Sequence, residues 1–217
     1  MKIAILGSTG FLGKVLTRKA LEAGYQVRTL VRDPTRLGEL KERVEYIAGT
    51  VFDPGDVSEA VRGTKVVLST IGPPQKKRVD PRQYEQAMKD LVAALREHHI
   101  KRYIHTGGAV HDGGTDENWT VGRRALRLLL KLTFRQGLVA KHLEWEVLKE
   151  SDLDWTLVRP PRIAASPPRG TLVADERSLA SLQVNVEDLA DFLLEQIHSA
   201  DWIRGAPLVA AGRGRRR

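Results

Sequence analysis

A glycine-rich turn near the beginning of the chain is the feature that most constrains the fold. The segment Gly7-Ser8-Thr9-Gly10-Phe11-Leu12-Gly13 follows an apolar run at residues 2–6 and precedes an amphipathic stretch that extends to Ala23. Glycines spaced three apart between a strand and a helix let the backbone come close to a pyrophosphate, whose charge then lies at the helix N-terminus. The sequence therefore predicts a dinucleotide-binding turn. The competing interpretation is a turn that is only tightly packed.

Short β-branched runs alternate with longer amphipathic stretches beyond this turn. Six runs are predicted to be strands, at residues 2–6, 26–31, 44–48, 65–70, 101–106 and 154–158. Such alternation is typical of βα units repeated around a parallel sheet. The predicted fold class is therefore α/β, with a doubly wound parallel sheet.

Three predicted helices begin with the same dipeptide, an aspartate followed by a proline. In Asp33-Pro34, Asp53-Pro54 and Asp80-Pro81 the aspartate can accept free N–H groups and the proline suits the first helical position. Gly24 and Gly63 stand where helices are predicted to end. Each βα unit therefore has its helix boundaries marked in the sequence.

The second half of the chain is predicted to contain further helices and strands. The helices fall at residues 121–135, 138–150 and 186–200, with a hinge near Gly137, and the strands at 171–174 and 207–210. Residues 160–170 are rich in proline and are predicted to form a loop, because proline interrupts helices and central strands.

Length and composition restrict what the chain can do. Its 217 residues predict a single domain over residues 1–211. The absence of cysteine excludes disulfides, thiolate metal sites and a cysteine nucleophile. The net charge is +8, and the arginine-rich end, residues 212–217, is predicted to be a disordered tail that binds no specific nucleic acid. Because no apolar run approaches the roughly 20 residues that cross a bilayer, we expect a cytoplasmic protein without a membrane span.

A basic residue follows the second predicted strand. In a dinucleotide-binding unit the adenosine ribose lies at this strand end, where an acidic residue accepts hydrogen bonds from the hydroxyls of NAD. This chain has Arg32 there, and a guanidinium can bind a 2′-phosphate. Asp33 is a competing acid, but Pro34 after it marks it as a helix cap. The predicted cofactor is therefore NADP(H), and the alternative is that Arg32 is a solvated surface arginine.

Four segments of this chain carry a family resemblance: GSTGFLG at 7–13, VRTLVRDP at 27–34, SDLDWTLVRP at 151–160 and NVEDLADF at 185–192. Together they resemble the atypical short-chain dehydrogenase/reductases that bind NAD(P)H, which include flavin reductase/biliverdin reductase B-like and NmrA-like proteins. The resemblance spans residues 1–210. It implies an NAD(P)-binding Rossmann fold with a small C-terminal substrate-side region and with substrate-side elements mainly at 107–137 and 160–185.

The resemblance also implies a set of cofactor contacts. The glycine turn would surround the pyrophosphate, while the turns after the third and fourth strands would contact the adenine and the nicotinamide ribose. Lys141 would bind the ribose hydroxyls, Pro160 would close the nicotinamide pocket, and Thr50 stands where relatives usually offer an acid. The implied residues are Gly7, Ser8, Thr9, Gly10, Phe11, Leu12, Arg32, Thr50, Val51, Ile71, Gly72, Lys141 and Pro160.

The catalytic residues are where the chain departs from the family pattern. Active relatives use a tyrosine with a lysine four residues later, and the lysine lowers the pKa of the phenol that protonates a carbonyl oxygen. The family register places Lys141 at the lysine position and Gly137 at the tyrosine position, so the usual proton donor is missing. The remaining candidates are Thr106, which would orient the substrate, His111, an acid or base on a predicted loop, and Lys141. Each also has a structural interpretation, as a strand-end hydroxyl, a surface histidine and a solvated lysine.

Two functions from different classes fit this sequence. The leading hypothesis is an NADPH-dependent oxidoreductase that reduces a flavin, quinone or similar small acceptor, since such acceptors take hydride when correctly oriented. The alternative is a catalytically weak NADP(H)-binding sensor or assembly factor that acts through a protein partner. A metal site is not expected, and the sequence leaves a homodimer open.

Overall fold

A six-stranded parallel sheet forms the centre of the molecule. A computed structural model describes residues 1–73, 80–108, 135–168 and 171–212. The sheet order β3-β2-β1-β4-β5-β6 reverses direction between β1 and β4, as in dinucleotide-binding doubly wound folds. The strands are β1 (Lys2–Leu6), β2 (Gln26–Val31), β3 (Glu45–Ala48), β4 (Val66–Ser69), β5 (Arg102–Thr106) and β6 (Asp154–Val158). The predicted fold class and all six predicted strands are confirmed.

Helices cover both faces of the sheet. They are α1 (Phe11–Glu22), α2 (Pro54–Val61), α3 (Pro81–Glu97), α4 (Arg135–Glu150) and α5 (Val186–Glu195). On one face, α1 and α5 bury Leu16 and Leu189 against β1. On the other face, α2, α3 and α4 share a second core that contains Leu95 and Leu148. The alternation of strands and amphipathic helices along the sequence thus gives two hydrophobic cores with the sheet between them.

The three Asp-Pro starts are confirmed as caps. The side chains of Asp33, Asp53 and Asp80 each accept a backbone N–H from the turn that follows. The first of these segments, Pro34–Arg43, is 3₁₀ rather than α-helical. Gly38 interrupts it with φ 57° and ψ −129°, a conformation that glycine adopts without strain.

Four short strands form the C-terminal region: β7 (Arg162–Ala164), β8 (Leu172–Asp175), β9 (Gln183–Asn185) and β10 (Leu208–Ala211). The prediction that residues 160–170 are all loop is wrong, because β7 pairs in parallel with β9. The strand fits between two proline pairs, since its three residues themselves contain no proline. β8 pairs antiparallel with β10, as the two later strand predictions required.

Two predicted boundaries in this region also change. The last helix ends at Glu195 rather than at residue 200, and the hydroxyl of Ser199 accepts the N–H of Asp201, a local bond that competes with a helix. Gly212 was predicted to belong to the tail, but it is buried and its N–H donates to the carbonyl of Thr171. The predicted helix at 121–135 lies outside the described residues up to position 134, as do residues 213–217. The predicted hinge near Gly137 is wrong, because α4 begins at Arg135 and continues through this glycine without a break.

A buried arginine attaches the C-terminal region to the end of β6. Arg159 is only 1% exposed, and its guanidinium donates to the carbonyls of Ala206 and Glu176 at 2.7 and 3.0 Å. Because those carbonyls belong to segments distant in sequence, one side chain fixes both against the sheet. The region therefore has a defined position beside the carboxyl ends of the strands.

Candidate functional site

A cavity of about 200 Å³ opens at the carboxyl ends of the strands, at the point where the sheet order reverses. This is where open α/β sheets bind their ligands. The glycine turn forms one wall, and the ends of β2, β3 and β4 form the others. The lining residues are Gly7, Thr9, Leu30, Val31, Arg32, Gly49, Thr50, Val51, Phe52, Ile71, Gly72 and Tyr84.

The glycine turn has the geometry of an anion site. Gly7 has φ +93°, and its carbonyl accepts the N–H of Gly10 at 2.9 Å. A Cβ on Gly13 would lie 2.0 Å from the same carbonyl oxygen, so only glycine lets α1 pack this closely on the turn. The N-cap of α1 is Gly10, and no side chain caps the helix. The free N–H groups and the helix dipole are therefore available to a phosphate, and this part of the chain fits a dinucleotide.

Arg32 lies at the end of the cavity where the second strand stops. Its side chain is exposed, while the neighbouring Asp33 is engaged as a cap and accepts from the N–H and hydroxyl of Thr35. The hydrogen bond from the Thr35 hydroxyl has the larger effect and the one from its N–H the smaller, and together they hold the pKa of Asp33 below its usual range. The cavity therefore presents a cation at this position, and the interpretation of Asp33 as a helix cap is confirmed.

Two aromatic residues in the cavity wall were missed by sequence reasoning. Phe52 and Tyr84 pack edge to face with ring centroids 5.2 Å apart, beside the predicted Thr50 and Val51. The N–H of Thr50 donates to Asp56 at 2.9 Å, which fixes the turn after β3. Burial raises the pKa of Tyr84, the charge of Glu144 adds to the rise, and Arg32 opposes it. An aromatic wall of the cavity thus lies next to a cation.

The structure brings together part of the predicted cofactor set. Gly7, Thr9, Arg32, Thr50, Val51, Ile71 and Gly72 line the cavity, whereas Ser8, Gly10, Phe11, Leu12 and Pro160 do not. Ser8 is buried and its hydroxyl is hydrogen-bonded to Thr29 at 2.6 Å, so only its backbone remains available. Leu12 is part of the core, while Phe11 is 56% exposed at the start of α1. Pro160 is buried after β6.

Lys141 extends the site toward the predicted nicotinamide end. A Cβ on Gly72 would lie 3.3 Å from the Lys141 Nζ, so the ammonium group lies against the turn after β4. Burial lowers the pKa of Lys141, and the charge of Glu144 opposes that shift. Lys141 is therefore not the solvated helix lysine of the alternative interpretation. Gly137, one turn earlier on α4, offers no side chain to donate a proton.

The other two catalytic candidates have different outcomes. Thr106 ends β5, is 8% exposed, and its Oγ1 has no hydrogen bond to any described residue. A buried hydroxyl without a partner costs free energy unless a ligand satisfies it, which is consistent with a substrate contact. His111 lies outside the described residues, and its role stays a prediction.

A buried carboxyl behind Lys141 was also missed. Glu144 is 6% exposed, and its Oε2 lies 4.0 Å from the Nε2 of His105. Burial raises the pKa of Glu144 to about 7, although the charge of Lys141 opposes the rise. The sequence did contain a signal, since Ala140, Glu144 and Leu148 are spaced four apart on the buried side of α4.

The described part of the chain contains neither a membrane-spanning helix nor a metal-binding cluster. No helix there is both long and apolar enough to span a membrane. The same residues contain no group of three His, Asp or Glu side chains placed to hold a metal ion.

Known proteins that are similar in sequence or fold include ones that bind NAD(P)H. A protein-family model described as NAD(P)H-binding matches residues 7–200. The solved structure of ChuY, an anaerobilin reductase from Escherichia coli O157:H7, superimposes with a TM-score of 0.80 at 17% identity, covering 100% of both chains. A short-chain dehydrogenase/reductase from Veillonella parvula in complex with NADP gives 0.78 at 23% identity, covering 99% of this chain and 95% of that one. At these identities the two structures establish the fold alone.

Curated relatives add two kinds of protein. Anthocyanidin reductase of Arabidopsis thaliana is 25% identical over 213 residues, covering 85% of this chain and 61% of that protein. The photosystem II assembly factor Ycf39 of Cyanophora paradoxa is 33% identical over 109 residues, covering 48% of this chain and 33% of that protein. The chain thus spans about a third to three fifths of the length of these relatives. With the match over residues 7–200, the resemblance read from the motifs is confirmed, and the chain belongs to the NAD(P)H-binding family of Rossmann-fold proteins.

Proposed function

We propose that the protein is an NADPH-dependent oxidoreductase of the atypical short-chain type that reduces a small flat acceptor such as a flavin or a quinone. The observation that carries the proposal is the continuity of the site. Arg32 lies where β2 meets the cavity, the glycine turn lies next to Ile71, and Gly72 after it lies against the Lys141 ammonium. That arrangement supports a dinucleotide extended along the strand ends, with the nicotinamide beside Lys141.

Arg32 supports NADPH rather than NADH. A guanidinium at the end of β2 can form charge-assisted hydrogen bonds to a 2′-phosphate, which NADH lacks. In the described part of the chain no carboxylate competes for Arg32, since Asp33 is occupied by Thr35. The unsatisfied N–H groups at the start of α1 favour the pyrophosphate in the same way.

The residues at the nicotinamide end orient the reactants. When bound, NADPH supplies the two electrons and the hydrogen of a hydride. The Lys141 ammonium donates to ribose hydroxyls, and the buried Thr106 hydroxyl is placed to hold the acceptor. Because Gly137 replaces the usual tyrosine, the chemistry that fits is reduction of an acceptor that needs orientation more than a strong acid. Reductases among the relatives and neighbours, including ChuY and anthocyanidin reductase, support this reaction class.

A sensor or assembly factor is the second candidate. The observation that favours it is the 33% identity to the assembly factor Ycf39, together with the glycine at the tyrosine position. Such a protein would bind NADP(H) and pass the signal to a protein partner. Both candidates are proposed to act in the cytoplasm, since a chain with no cysteine suits a reducing compartment.

Turnover separates the two candidates. Purified protein is mixed anaerobically with NADPH and a flavin, a quinone or a carbonyl acceptor, and NADPH oxidation is followed together with acceptor reduction. We expect equal amounts of both. Lys141→Met should lower the rate at least roughly tenfold, while Lys149→Met, an exposed lysine on the same helix, should not. Tight NADPH binding with no acceptor reduction, and a change in partner affinity instead, would favour the sensor.

A further inference from the structure

Glu144 is a buried carboxyl that the proposed reaction has not yet used. It lies on the side of α4 that faces β5 and α3, with Ala140 one turn before it and Leu148 one turn after it. Both of those residues are fully buried. A carboxylate is expensive at such a position unless it is paired or protonated, so a purely structural role would be better filled by an apolar side chain.

The surroundings of Glu144 connect it to the candidate site. A void of about 10 Å³ separates α4 from the end of β5, and its lining includes His105, Gly107, Lys141 and Glu144. The Oε2 of Glu144 has no hydrogen bond to any described residue and lies 4.0 Å from the His105 Nε2. Lys141, three residues earlier on the same helix, lines the same void and also extends to Gly72 at the cavity. One side chain therefore links the buried carboxyl to the predicted nicotinamide end.

Among the described residues, the charged and titratable groups around Glu144 come from three elements. Lys141 belongs to its own helix, His105 and Tyr103 to β5, and Tyr84 to α3. The Tyr103 hydroxyl is 3.2 Å from the Nδ1 of His105. Burial raises the pKa of Glu144 to about 7 against the opposing charge of Lys141. Near neutral pH a substantial fraction of the carboxyl is therefore protonated.

We propose that Glu144 is a positioning residue for proton delivery, which supplies through Lys141 the proton that completes reduction of the acceptor. This rests on the proposed reductase function. The acceptor receives a hydride from a nicotinamide donor and then lacks one proton. An N–H bond of the Lys141 ammonium breaks as the acceptor forms its new bond to hydrogen. The O–H bond of Glu144 then breaks to restore the ammonium, and solvent returns a proton to the carboxylate after product leaves.

The charge of the oxidised cofactor determines when the Glu144 proton is released. A cation near a carboxyl favours the ionised form. NADP⁺ has one positive charge more than NADPH at the nicotinamide, so its presence beside Lys141 favours release of the Glu144 proton. The proton thus becomes available in the state that follows hydride donation.

Proton release on cofactor binding tests the proposal without turnover. The heats of NADP⁺ and NADPH binding are measured by calorimetry at pH 7 in buffers of different ionisation enthalpy, using the full chain. The number of protons released on NADPH binding is subtracted from the number released on NADP⁺ binding. This subtraction cancels the contribution of the 2′-phosphate, which both cofactors carry. We expect a difference of up to about half a proton in the wild type. Glu144→Gln should abolish it, and Glu150→Gln, an exposed residue on the same helix, should preserve it. An unchanged difference in Glu144→Gln, or no NADP⁺ binding at all, would overturn the proposal.

The pH profile of turnover supplies the second measurement. Because the donor must be protonated, the wild-type kcat should fall as pH rises through about 7. Glu144→Gln should lower kcat at least roughly tenfold, flatten the profile and leave KM for NADPH within about twofold, and Glu144→Asp should restore part of the rate and the pH dependence. A structural role predicts altered KM or folding with an unchanged profile. If the wild type reduces no acceptor, the reductase proposal fails, while the calorimetric result still decides whether Glu144 carries the released proton.

Discussion

The buried Glu144 predicts an unusual pH dependence of folding stability. Its pKa is about 7 in the folded chain against 4.5 for an ordinary glutamate, so the folded state binds the proton more tightly than the unfolded state. The difference corresponds to roughly 3 kcal/mol. The contribution of Glu144 to the free energy of unfolding is therefore lost as pH rises from about 4.5 to about 7, and it does not change further above that range. The opposing charge of Lys141 is already included in this net difference.

Replacing the carboxyl by an amide removes this loss. Glu144→Gln should lie within about 1 kcal/mol of the wild type near pH 5, where the carboxyl is still mostly protonated in the folded state. At pH 8 the variant should be more stable, by up to about 3 kcal/mol. Urea unfolding at pH 5, 6, 7 and 8 gives the free energy of unfolding for the wild type, Glu144→Gln and the exposed control Glu150→Gln. A difference between Glu144→Gln and the wild type that stays constant across these pH values would refute the reasoning.

Three further substitutions have defined outcomes. Gly13→Ala should abolish detectable NADPH binding in a fluorescence titration and lower Tm, because the added methyl would lie 2.0 Å from the Gly7 carbonyl; unchanged binding would contradict the close packing of turn and helix. Asn185→Ala removes a side chain that accepts the N–H groups of Glu187 and Asp188, and should cost about 1–2 kcal/mol in urea unfolding. Thr106→Val should leave stability within about 1 kcal/mol, because the hydroxyl is buried without a partner among the described residues, yet lower kcat/KM for the acceptor at least roughly tenfold. Equal kcat/KM would remove Thr106 from the site.

The fold could be predicted because its signals are local. Each strand is a short β-branched run, and Asp53 and Asp80 mark helix starts within a few residues of the chain. The same local logic was wrong at β7, where pairing with β9 turned a segment between prolines into a strand. This pairing depends on a segment about twenty residues further along the chain, and a local sequence pattern holds no information about such a partner.

The residues of the candidate site likewise fall into those that local sequence signals predict and those that they do not. The glycine turn and Arg32 follow from a strand–turn–helix unit and a strand end, both of which are legible in sequence. Tyr84 and Glu144 were missed because their roles arise where α3 packs on α4, far apart in sequence. Of these two residues, only Glu144 could have been noticed in the sequence, because it is a carboxylate on the apolar side of a predicted helix. A charged residue at such a position is a candidate functional residue.

The affinity of Arg32→Ala for the two cofactors tests the central claim most directly. A charge-assisted contact to the 2′-phosphate contributes about 1.5–3 kcal/mol, so the substitution should weaken NADPH binding by roughly 10- to 100-fold. NADH binding should be nearly unchanged. Arg62→Ala, which removes the same charge from an exposed arginine after α2, should affect neither cofactor. A loss of affinity that is equal for NADPH and NADH, or absent for both, would contradict the assignment of Arg32 and the preference for NADPH.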